Sequence, residues 1–105
     1  MICVSIGEMD FQQALRIAES SEMIEIRGDL LDWFIEEYEK IFKIAKRSVF
    51  TFRPGENFSD GERLAMYRLA VENGADFLDV EIEASSGFIN EIKEAVVNSK
   101  TELIL

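Results

Sequence analysis

Short apolar or β-branched runs alternate along this chain with longer runs whose apolar residues recur every three or four positions. The short runs, at residues 2–6, 23–27, 49–53, 77–82 and 102–105, have the length and residue types of strands. The gaps predict helices over 11–20, 33–46, 60–73 and 87–97, the last carrying Phe88, Ile89, Ile92, Ala95 and Val96 as a core-facing stripe. Capping residues sharpen these limits. Asp10 with Gln13, and Ser59 with Glu62, have capping-box spacing, while Asp32 and Ser86 stand at the starts of the other two helices. Gly74 ends the third helix and Asn98 follows the fourth. The resulting order, βαβαβαβαβ, builds a parallel sheet covered by helices, as one domain over 1–105.

Periodicity alone does not say whether such a sheet is open and doubly wound or curls into a barrel. Polar residues on the strands do. A covered parallel strand is normally a continuous apolar run, yet Glu25 and Arg27, Thr51 and Arg53, and Asp79 and Glu81 occupy alternate positions on three successive strands. Each pair therefore points to one face, and Ile24, Ile26, Phe50, Phe52, Leu78, Val80 and Ile82 to the other. In a barrel the apolar face packs on the helices. The charged face then lies inside, near the C-terminal strand ends where such folds bind and react. Acids and arginines side by side compensate one another and offer donors and acceptors to a polyhydroxylated or anionic small molecule. The competing reading is a buried ion-pair network that only holds register. At 105 residues the chain is short of the ~200 or more of a complete barrel, so the expected fold is about the first half of a (β/α)8 TIM barrel: five parallel strands and four helices.

Composition adds exclusions. With 48% hydrophobic and 30% charged residues the chain is expected to fold. Its net charge of −10, from 21 acidic and 11 basic side chains, opposes nucleic acid or an anionic membrane as partner. The single cysteine, Cys3, forms no internal disulfide and reads as a buried thiol in a cytoplasmic protein; no apolar run approaches the ~18 residues of a membrane span, and no charged leader precedes the first strand. With no histidine and one cysteine, the common zinc sites and Ser-His-Asp or Cys-His nucleophiles are not built from these residues, so neither metal nor cofactor is expected. Gly-rich phosphate loops are absent. The loop Pro54-Gly55-Glu56-Asn57-Phe58-Ser59-Asp60-Gly61 reads equally as a mobile flap or an ordinary connection. Lys40, Lys43, Lys46, Lys93 and Lys100 fall on helices or their connections, where solvated, protonated amines are expected.

The segments Glu25-Ile26-Arg27-Gly28-Asp29-Leu30-Leu31, Thr51-Phe52-Arg53 and Asp79-Val80-Glu81-Ile82 resemble the first half of type I 3-dehydroquinate dehydratase. The similarity spans nearly the whole chain, with Leu103 and Ile104 falling where the family has two aliphatic residues ahead of its catalytic histidine segment. The resemblance implies dehydration of 3-dehydroquinate to 3-dehydroshikimate in aromatic amino acid biosynthesis. A lysine Schiff base acidifies the neighbouring carbon and a histidine moves protons. It further implies that Glu25, Arg27 and Arg53 contact substrate, that Asp79 and Glu81 support them, and that Glu56 orients the histidine. The loop after Arg53 departs from the family's Glu-Gly-Gly pattern at this last point. The family's histidine and lysine match no residue here, so the expectation is an inactive chain that holds part of a substrate site. The alternative is a non-enzymatic half-barrel for binding or self-assembly. Both readings predict association, as a homo-oligomer or with a missing C-terminal half, because an unclosed sheet exposes its edges.

Overall fold

The computed structural model describes residues 2–105, and in it the alternation becomes one five-stranded sheet with strands in sequential order, every neighbouring pair parallel. The elements run β1 (Cys3–Ile6), α1 (Phe11–Ser20), β2 (Met23–Arg27), a 3-10 turn (Gly28–Leu30), α2 (Ile35–Ile44), β3 (Ser48–Thr51), α3 (Asp60–Glu72), β4 (Phe77–Asp79), α4 (Ser86–Val96) and β5 (Glu102–Ile104). A doubly wound sheet reverses its strand order at a switch point. This one never does, and successive helices pack on one another, α1 on α2, α2 on α3 and α3 on α4. Such a singly wound layout is that of the first half of an α/β barrel.

The core lies between the helices and one face of the sheet. Ile6, Ile26, Phe50 and Leu78 are all fully buried there. Phe50, on the central strand, meets Tyr67 edge-on at 5.4 Å between ring centroids, with Phe42, Tyr38 and Phe52 around it at 6.0–6.3 Å. Edge-to-face aromatic packing of this kind fixes ring orientation as well as excluding water.

Several boundaries differ from the predicted ones, each for a local reason. Trp33 does not enter α2 because its indole N–H donates to the Met9 carbonyl at 3.2 Å, bridging to the loop after β1. The helix instead starts after Phe34, whose N–H is accepted by Glu37 Oε1 at 2.9 Å, so Asp32 is not the cap. Ser85, rather than Ser86, caps α4 by accepting from the Phe88 N–H. At α1 only half of the expected box forms, with Asp10 accepting from the Gln13 N–H at 2.8 Å, whereas Ser59 and Glu62 complete theirs. β3 stops at Thr51 because the Phe52 N–H is taken by the Tyr67 hydroxyl at 3.0 Å. β4 stops at Asp79 because the Glu81 carbonyl starts a turn closed by the Ala84 N–H, which leaves Ile82 exposed instead of buried. Cys3 is also exposed, contrary to expectation, because β1 turns it to the face without helices.

Candidate functional site

Residues paired across a parallel ladder project to the same face. The register sets Ser5 beside Glu25, Arg27 beside Thr51, and Thr51 beside Asp79, so these side chains line the face away from the helices. The carboxylate of Glu25 is gripped from both flanking strands: Ser5 Oγ donates to Oε1 at 2.8 Å and Thr51 Oγ1 donates to Oε2 at 2.9 Å. A carboxylate fixed in this way still has lone pairs to offer a ligand hydroxyl.

Arg27 curls over the start of the 3-10 turn and forks onto Asp29, Nε to Oδ1 at 3.1 Å and Nη2 to Oδ2 at 2.8 Å. That hydrogen bond raises the guanidinium further above its ordinary value. Burial pushes the Asp29 carboxyl up, but the hydrogen bond and charge of Arg27 outweigh it, and the group ends below the usual carboxylate value. Arg53, just past β3, donates from Nη2 to Asp79 Oδ1 at 2.8 Å. Burial works against its charge, yet the Asp79 bond keeps the guanidinium above its ordinary value. Its other terminal nitrogen, Nη1, lies 3.5 Å from Glu81 Oε1 without forming a hydrogen bond. Among the described residues it is the one buried side-chain nitrogen or oxygen with no hydrogen-bond partner. The Arg27 and Arg53 side chains are 28% and 34% exposed, so each keeps part of its surface open.

Glu25, Arg27, Arg53 and Asp79 thus gather at one rim of the sheet. Glu81 joins them from a different direction: past the end of β4, its two oxygens each receive Arg63 Nη2 at 2.8 Å. Glu56 stands apart. It is exposed at the tip of a tight turn bridged between Gly55 and Phe58, and Phe58 anchors that turn by packing edge-on against Phe52 at 4.8 Å.

The sequence reading missed Arg63 and Tyr67. Tyr67 donates to the Asp79 carbonyl at 2.8 Å while accepting from the Phe52 N–H, which ties the ends of β3 and β4 together. Burial raises its phenol above the ordinary value. Arg63, Tyr67 and Ala70 are the buried residues of α3. A charged residue on a core stripe was the available signal. Among the described residues no group of three or more His, Cys, Asp or Glu is placed to hold a metal ion, and no helix is long and apolar enough to cross a membrane.

Comparison with known proteins bears on the family. A family model described as type I 3-dehydroquinase matches residues 2–105. A 3-dehydroquinate dehydratase of Desulfotalea psychrophila is 32% identical over 99% of this chain and 49% of its own length. One from Methanococcus maripaludis strain C6 is 29% identical over 100% of the chain and 52% of its own length. A bifunctional 3-dehydroquinate dehydratase/shikimate dehydrogenase of Arabidopsis thaliana is 35% identical over 84% of the chain, which covers 16% of that protein. The chain therefore spans about half the length of the single-function relatives and much less of the bifunctional one.

Proposed function

The chain belongs to the type I 3-dehydroquinase family, and from that premise we propose that its β2–β4 strand ends are the substrate-gripping part of a 3-dehydroquinate dehydratase. Glu25 accepts from a substrate hydroxyl, while Arg27 and Arg53 donate to oxygens on the same molecule. Asp79 holds Arg53 in place through its hydrogen bond to Nη2, while Glu81 supports the strand end through Arg63. Bond breaking falls to a Schiff-base lysine and a proton-moving histidine that lie outside these 105 residues, which contain no histidine. Glu56 serves that histidine only if its turn swings toward the rim. The reaction and the single thiol both suit a reducing cytoplasm.

The observation that carries this reading is Arg53 Nη1, a buried charged donor left without a partner at the strand ends. Buried polar groups are normally satisfied, and a turn of the partly exposed Arg53 side chain presents this unpaired donor to a ligand oxygen. Calorimetric titration of the 105-residue chain with 3-dehydroquinate tests it. The expected result is measurable binding that weakens by about tenfold or more in Arg53→Ala, as loss of a charge-assisted hydrogen bond dictates, with no growth of enone absorbance. Binding unaffected by Arg53→Ala contradicts the assignment, and turnover by these residues alone contradicts the division of labour. Self-assembly without any dehydroquinate binding is the signature of the alternative, a non-enzymatic half-barrel module.

A further inference from the structure

Arg63 lies in the first turn of α3, in the helix layer, yet its side chain is only 2% exposed. A buried guanidinium is tolerated only when its donors are matched, and here each face is occupied. Nε donates to the Phe52 carbonyl at 2.8 Å, Nη1 to Asp60 Oδ1 at 3.3 Å, and Nη2 to both oxygens of Glu81 at 2.8 Å. The guanidinium carbon also sits 4.5 Å from the centroid of the Phe88 ring.

Two of these partners bear on Arg53. Phe52 is its neighbour in the chain, and the Glu81 carboxylate stands 3.5 Å from the unpartnered Arg53 Nη1. A free Glu81 would rotate onto that nitrogen and close a forked pair, the arrangement arginine and carboxylate favour. Arg63 prevents it by drawing both oxygens toward itself. We infer that Arg63 is a positioning residue which holds Glu81 at ion-pair distance from Arg53 Nη1 and stops it from closing a hydrogen bond there, so that this donor is free to turn to a substrate oxygen. The inference rests on Arg53 being a substrate contact, as proposed above.

The claim predicts a rescue that a merely structural role does not. In Arg63→Met, dehydroquinate affinity falls by about tenfold, the loss of one charged hydrogen bond. Adding Glu81→Ala removes the competing carboxylate and returns most of that affinity. Nitrogen NMR of the Arg53 guanidinium gives a readout independent of ligand: rotation about its Cζ–Nη bonds slows in Arg63→Met and speeds again in the double variant. Backbone amide spectra verify folding. If Arg63→Met does not fold, Arg63→Lys carries the same comparison, since an ammonium cannot hold both Glu81 oxygens and the Phe52 carbonyl in one plane. A double variant that binds no better than the single one, or Arg53 dynamics indifferent to position 63, overturns the inference. If the unaltered chain does not bind dehydroquinate, the reading of the site fails, and the Arg53 dynamics alone decide the role of Arg63.

Discussion

Asp29 shows what a short-range ion pair contributes at the level of one side chain. It lies two residues past Arg27 and takes two of its N–H groups, and its carboxyl ends below the ordinary aspartate value. A carboxylate with a depressed folded-state pKa adds stability that is complete above its unfolded value and is lost as pH falls through the folded one. Asp29→Asn is therefore expected to lower stability by about 1.5 kcal/mol near neutral pH, the low end of the range for a hydrogen bond to a charged group. That difference should stay flat down to about pH 4 and then shrink as the native carboxylate protonates. Urea unfolding of both proteins across this range checks it, and a gap that persists undiminished in acid would show that the ion pair is not its source. The pairing of Arg27 with Asp29 spans two residues, so the motif itself contained it. Arg63 was hidden because its partners Phe52 and Glu81 lie 11 and 18 residues away, and only the packing of α3 on the strand ends brings them together.

Elements meet most tightly where β2 runs into the 3-10 turn. A Cβ added at Gly28 would stand 2.6 Å from Phe52 Cδ2 and 2.8 Å from Phe50 Cζ, two rings that are themselves locked in the core. Gly28→Ala is expected to destabilise the fold by about 1–3 kcal/mol through overpacking. Gly55→Ala, where an added Cβ meets nothing within 4 Å, should leave thermal stability unchanged, and equal melting temperatures for the two variants would contradict the steric account. The order of strands and helices was legible because their periods, two and 3.6, are written locally in the apolar positions. Strand lengths were not. β3 and β4 continue in apolar alternation to Phe52 and Ile82, but the Tyr67 hydroxyl and the Glu81 turn capture the backbone first. The inward charges of Glu25, Arg27 and Asp79 followed from alternation alone, while Glu81, past the end of its strand, escaped that rule and turned to a helix residue.

At the scale of the whole molecule, half a barrel has two unfinished edges. β1 pairs only with β2 and β5 only with β4, so each presents a row of unpaired backbone donors and acceptors on its outer side. The side chains there are apolar and uncovered: Ile2 is 77% exposed on one edge, and Ile104 and Leu105 are 42% and 54% exposed on the other. Unpaired strand edges of this kind template pairing with another chain. The relatives that run to about twice this length have further residues available to finish the barrel. The 105 residues by themselves have only another copy. We expect the isolated chain to form dimers or larger assemblies through β1 and β5, measured as a weight-average mass that rises with concentration in sedimentation velocity. Ile104→Lys places a charge on the β5 edge and should shift the chain toward monomer without changing its helical circular dichroism, since the side chain is exposed and projects away from the helix core. A mass that stays monomeric from micromolar to millimolar concentration would mean that the −10 net charge, and not edge pairing, governs how copies meet. Loss of assembly at high salt, where like-charge repulsion is screened, would contradict the edge model from the other direction.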